Sequence, residues 1–109
     1  MVVERLMEEK RRNLEIFKRL DEIAREIKDV ATHFFGPCRV FIFGSALRGD
    51  WHPTLSDIDV AVVTNCEDME KILRFKAEIA RRWSIFELHV VDERIWNFYR
   101  RFIDDLREI

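Results

Sequence analysis

Apolar residues recur every three or four positions through the first third of the chain, then switch to short continuous runs. Ile16, Phe17, Leu20, Ile23, Ala24, Ile27, Val30, Ala31 and Phe34 fall on one stripe, as in a helix laid on a core. The pattern predicts one long helix from about Val3 to Phe34, stopped by Gly36-Pro37. Its first turns, around EEKRRN, are polar and are expected to protrude or to meet a partner. Three runs rich in β-branched and aromatic residues read as strands: RVFIF (Arg39 to Phe43), IDVAVV (Ile58 to Val63) and IFELHVV (Ile85 to Val91). A helix is expected between the second and third, capped by Asn65, with Glu67 and Asp68 in its first turn and its end near Trp83. Met69, Ile72, Leu73, Ile79 and Ala80 mark its apolar face. Lys76 falls inside that face, its ammonium expected at the rim with the stem along the surface, in preference to reaching a phosphate. Asp92 is expected to cap a last helix to about Arg107, with Ile95, Phe98, Tyr99, Phe102, Ile103 and Leu106 on one face. Trp83, Trp96, Phe98 and Phe102 are assigned to the core.

This order of elements predicts a single small α/β (α+β) domain over residues 1–109. It comprises a long N-terminal helix (1–35), a strand region (39–91) and a C-terminal helix (92–109). The helices are expected on a mixed sheet of three or four strands. A chain of 109 residues with 48% hydrophobic and 37% charged positions is long enough for one core and too apolar for disorder.

Charge narrows the partners. Nineteen basic residues against 21 acidic ones lack the basic excess of a dedicated nucleic-acid binder, so no direct nucleic-acid contact is expected. No apolar run approaches membrane-spanning length, and Glu4, Arg5, Glu8, Glu9 and Lys10 interrupt any secretory segment. A cytoplasmic location is the expectation. Cys38 and Cys66 lack metal-ligand spacing and read as small buried hydrophobes.

Candidate chemistry concentrates in FIFGSALRGDWHPTLSDIDVAVV, Phe41 to Val63. Acidic residues are poor strand formers, yet Asp57 and Asp59 head an apolar strand. Residues two apart on a strand share a face, so the two carboxylates are expected to project together. Left alone they repel; a divalent cation such as Mg²⁺ removes the conflict and recruits phosphate oxygens. Taken alone, such a triplet more often marks two solvated turn residues. Gly44-Ser45 directly after the first strand changes the weighing. Glycine permits a sharp turn close to a ligand, the serine hydroxyl and backbone N–H groups can hold phosphate oxygens, and Arg48 can neutralise charge.

In this order the features resemble the nucleotidyltransferase superfamily that includes DNA polymerase β. Its signature is a Gly-Ser turn after one strand, an Asp-X-Asp pair on the next and a third carboxylate on a later strand. Within it, the stretch is most similar to the minimal nucleotidyltransferases. The motif covers residues 41–63, and element order and length extend the resemblance over nearly the whole chain. The resemblance implies phosphate binding at Gly44, Ser45 and Arg48, and catalytic metal ligation by Asp57 and Asp59. The third carboxylate then falls on Glu87, the only acid in IFELHVV, where the family usually has aspartate. Eleven residues separate Ser45 from Asp57 where the family more often has ten, and the extra one is placed in the loop around Trp51 to Leu55.

The implied chemistry is transfer of a nucleotidyl group from a nucleoside triphosphate with two Mg²⁺ ions. In the minimal family, AMP passes from ATP to a tyrosine of a small helical HEPN ribonuclease, which silences that toxin. The same resemblance leaves two alternatives. One is a catalytically degenerate module that neutralises its partner by contact. The other is a small-molecule nucleotidyltransferase whose acceptor domain lies on another chain. A homo-oligomer is left open. His89, two residues after Glu87, is expected on the same side, more as a hydrogen-bonded structural histidine than as a contact to the nucleotide or the acceptor. His33 and His52 read as surface residues. Trp51 suits stacking on a base or packing at a rim equally.

Overall fold

The computed structural model describes residues 2–109, and Met1, the first residue of the expected N-terminal helix, lies outside them. The elements run α1 (Val2–Lys18), α2 (Leu20–Phe35), β1 (Arg39–Phe43), α3 (Ser45–Arg48), β2 (Ile58–Val63), α4 (Met69–Arg82), β3 (Phe86–Val91), α5 (Glu93–Tyr99), a 3₁₀ turn (Arg100–Phe102) and β4 (Leu106–Glu108). The sheet has four strands in the order β3-β2-β1-β4. β1 lies antiparallel to β2 and β4, while β2 and β3 are parallel. α4 makes the crossover between the two parallel strands, as such a connection requires.

Alternation along the strands sorts the two faces of the sheet. Val40, Ile42, Ile58, Val60 and Val62 join Ile23, Ala24, Ile27 and Ala31 of α2 and Phe75 and Ile79 of α4 in the main core. On the opposite face Phe41, Ala61 and Val63 pack with Trp96 of α5 in a smaller cluster. One face is thus sheathed by long helices and the other mainly by one short helix. The site described below lies on the thinly covered face.

Three expectations are corrected. The single long N-terminal helix is two helices broken at Arg19, whose backbone leaves the helical region (φ −108°, ψ 26°). No proline or glycine marks the break, and Arg19 pairs forward with Glu22 in the first turn of α2 at 3.0 Å. The break turns α1 so that Asn13 Nδ2 donates to the Pro53 carbonyl at 2.7 Å and Phe17 stacks on Trp51 at 4.6 Å. Secondly, the helix after β2 is capped by Asp68, whose side chain accepts from the Lys71 N–H, and not by Asn65. Of its expected apolar face, Ile79 is buried whereas Met69 and Leu73 are exposed. Thirdly, the last helix does not reach Arg107. Asp92 caps it as expected, accepting from the Ile95 N–H at 2.8 Å, but α5 ends at Tyr99 and the chain returns as β4 beside β1. Phe98 and Phe102, assigned to the core, are 57% and 72% exposed, while Trp96 is 2% exposed.

Arg39 fastens this return. It pairs with Glu108 of β4 at 3.0 Å and with Glu93 of α5 at 3.2 Å. The Lys28 ammonium donates to the Ile109 carbonyl at 2.8 Å, tying α2 to the segment that follows β4.

Candidate active site

The ends of three neighbouring strands set the site. In the register, Phe43 of β1 stands opposite Asp59 of β2, and Asp59 stands opposite Glu87 of β3. Asp59 and Glu87 therefore share a face as direct cross-strand neighbours. His89, opposite Ala61 and two residues along from Glu87, joins them. One donor atom from each of Asp59, Glu87 and His89 lies within 4.8 Å of the other two. His89 Nε2 is 3.2 Å from Asp59 Oδ1 and 3.9 Å from Glu87 Oε1. The hydrogen bond to Asp59 holds the imidazole above its usual pKa against the burial that lowers it. The charges of Asp59 and Glu87 add to the rise, and Lys76 opposes it.

Asp57 stands one residue before β2, exposed, and is not part of this three-residue group. The structure brings the second aspartate of the pair to Glu87 and leaves the first outside that group.

Gly44 turns the chain at the end of β1 with φ +88°, a conformation that favours glycine. A Cβ at this position would lie 2.7 Å from Asp59 Oδ2. Glycine is thus required both by the turn and by the carboxylate beside it. Gly44→Ala is expected to cost about 1–3 kcal/mol of stability from strain alone and to displace Asp59. Denaturant unfolding measures the first effect. Divalent-metal titration measures the second, with a fall in affinity on the order of tenfold or more.

A hollow beside Asp59 is lined by Gly44, Ser45 and Arg48 on one side and by Phe102, Ile103, Asp104 and Asp105 on the other. Gly44 N–H donates to the Asp105 carbonyl at 3.4 Å, so the lead-in to β4 braces the turn. Arg48, half-exposed, lies 3.5 Å from Asp50. On the far side of Phe43 a second hollow, of about 510 Å³, is walled by Phe43, Trp96, Tyr99, Phe102 and Ile103, with His89 and Lys76 among its polar lining. The two hollows share Phe43, Phe102 and Ile103.

The sequence pointed to Gly44, Ser45, Arg48, Asp59 and Glu87, and these surround one small region. It did not point to Asp104, Asp105, Phe102 or Ile103, because that segment carries the period of a helix and gives no sign of a return strand. His89 was placed on the correct side, and its bond to Asp59 follows once the parallel register of β2 and β3 is known. Trp51 is occupied by Phe17, and its indole N–H is buried without a hydrogen-bond partner among the described residues.

The donor set suits a divalent cation: two carboxylates and an imidazole converge, and Gly44 leaves the Asp59 carboxylate uncrowded. Such an ion would sit on Asp59 and Glu87, with His89 in reach, and would supply charge neutralisation for a phosphate-bearing substrate.

The chain belongs to the nucleotidyltransferase domain family, whose profile, described as "Nucleotidyltransferase domain", matches residues 14–108. Two solved structures resemble it. One is described as a "putative nucleotidyltransferase", 33% identical with a TM-score of 0.63, over 78% of this chain and 95% of that one. The other, from Sulfolobus solfataricus, carries the same description; it is 27% identical with a TM-score of 0.58, over 88% of this chain and 84% of that one. No curated protein matches. The mixed α/β architecture with its four-stranded sheet is that of these nucleotidyltransferase-fold relatives.

Proposed function

We propose that the chain transfers a nucleotidyl group, AMP from ATP in the first instance, to a hydroxyl of a partner protein, with a divalent metal as cofactor. The observation that carries this reading is the register. Asp59 and Glu87 are cross-strand neighbours on the open face, beside the Gly44-Ser45 turn. Ser45 and Arg48 would hold the phosphates, and Asp59 and Glu87, joined by Asp57 from just before β2, would carry the metal. Each of these groups has a stated task. Arg48 and Ser45 orient and neutralise the triphosphate, while a carboxylate near the acceptor takes its proton. A metal held by these carboxylates would offset their charge and that of the triphosphate.

A protein acceptor is favoured over a small molecule by the surroundings of the site. Phe98, Tyr99 and Phe102 expose a contiguous aromatic cluster, and Tyr99 and Phe102 line the second hollow. An exposed apolar patch of this kind is the mark of a protein-binding surface. A small helical toxin of the HEPN type, with a tyrosine as acceptor, is the partner that the family resemblance supplies. No helix among the described residues is long and apolar enough to cross a membrane.

The test is calorimetric titration of ATP, GTP, CTP and UTP with Mg²⁺ or Mn²⁺, followed by incubation of α-labelled nucleotide with a co-purified partner. Metal-dependent binding and label on the partner are expected. Partner neutralisation that proceeds equally well without nucleotide would replace catalysis with a contact-only module.

A further inference from the structure

We propose that His89 is itself a metal ligand, making the cation site a mixed oxygen–nitrogen one that takes Mn²⁺ or another first-row transition ion in preference to Mg²⁺, an assignment that rests on the metal-dependent reading above and narrows it. The placement comes from the sheet. His89 sits opposite Ala61, a small residue that is fully buried and leaves the ring room over the strand pair. Phe43 lies against the imidazole, with ring centroids 5.3 Å apart, and limits its swing.

Distances favour ligation. Ligand atoms about 2.1 Å from one ion stand roughly 3.0 Å apart at right angles and roughly 3.4 Å apart in a tetrahedron. The 3.2 Å between His89 Nε2 and Asp59 Oδ1 falls between these values without adjustment. The 3.9 Å to Glu87 Oε1 is longer, and the Glu87 side chain, 56% exposed, is free to rotate inward. An ion taking this place would replace the His89–Asp59 hydrogen bond, and any proton carried on Nε2 would leave to solvent as the ion binds.

Chemistry then sets the ion. Mg²⁺ demands near-ideal octahedral oxygen coordination and sheds its water reluctantly. An imidazole nitrogen in the set moves preference toward Mn²⁺ and the later transition ions. A competing role exists for His89 as a positioning residue that only orients Asp59 by hydrogen bonding. Loss of an outer-shell partner already costs about 10–100-fold in metal affinity, so affinity by itself does not separate the two roles. A metal–nitrogen bond does.

The experiment is pulsed electron paramagnetic resonance of Mn²⁺ bound to the full chain without nucleotide, prepared with ordinary and with ¹⁵N-labelled histidine. The expected result is a nitrogen coupling that follows the label and is absent in His89→Gln. It should persist in the double variant His33→Gln/His52→Gln, in which His89 is the only histidine left of the three. That variant keeps the assignment testable should His89→Gln fail to fold. Calorimetry with Mn²⁺ and Mg²⁺ alone should show a Mn²⁺ preference of about tenfold or more in the wild type, narrowed in His89→Gln. An oxygen-only Mn²⁺ spectrum, or a coupling that survives in His89→Gln, overturns the assignment and leaves the nucleotidyltransferase reading standing on an oxygen site. Nucleotide binding unaffected by either metal overturns both.

Discussion

Asp59→Asn is expected to lower nucleotidyl transfer by roughly a thousandfold, about 4 kcal/mol of transition-state stabilisation at about 1.4 kcal/mol per tenfold. The substitution keeps size and hydrogen-bonding capacity but removes the charge that faces Glu87 and His89. Stability should change little, within about 1 kcal/mol, because Asp59 and its partner His89 are both partly exposed. The comparison with Asp57→Asn is informative. Asp57 stands outside the group formed by Asp59, Glu87 and His89, so its loss is expected to cost less. Transfer of α-labelled nucleotide, with metal-dependent nucleotide affinity beside it, measures both. Equal activity of Asp59→Asn and wild type would remove the carboxylate from the mechanism.

Trp96→Ala is expected to destabilise the fold by about 3–5 kcal/mol, the range for truncating a large buried aromatic. Trp96 is 2% exposed and is the element of α5 that reaches the sheet. Its ring lies 4.7 Å from Phe41 and 5.9 Å from Phe43. Its indole N–H makes no hydrogen bond among the described residues, so apolar packing, not polar anchoring, is what the substitution deletes. The cavity would open beneath the site. Phe43, left without one wall, would loosen His89 on its other side. Urea unfolding followed by circular dichroism gives the number. Trp96→Phe should lose much less, since most of the ring contact survives. A cost under about 1 kcal/mol for Trp96→Ala would mean that α5 contributes little to holding the open face.

The first three strands were legible because RVFIF, IDVAVV and FELHVV are continuous and rich in β-branched and aromatic residues; burial on both faces demands this composition of the two interior strands, β1 and β2. The turn at Gly44-Ser45 and the acids at Asp59 and Glu87 were legible through spacing and kind. Which of the acids meet was not. It depends on the parallel register that sets Asp59 beside Glu87, and register between distant strands leaves no local mark. The break at Arg19 was hidden because the apolar stripe runs through it unchanged from Ile16 to Leu20. The end of α5 was hidden for a related reason. Phe98, Tyr99 and Phe102 keep the helical period past Trp96, yet they face solvent, so periodicity signalled burial that never occurs. β4, only Leu106-Arg107-Glu108, takes its strand form from pairing with β1 and not from propensity.

The brace between Gly44 and Asp105 gives the chain an order in time. Synthesis runs from the amino end, and β1, β2, α4 and β3 are all made before residues 103–108. A nascent chain that has reached Val91 owns both carboxylates and the imidazole, but not the segment that holds the glycine turn or the partner that covers the open edge of β1. The braced turn therefore forms only once residues 103–108 have been made, well after the carboxylates and imidazole it stands beside.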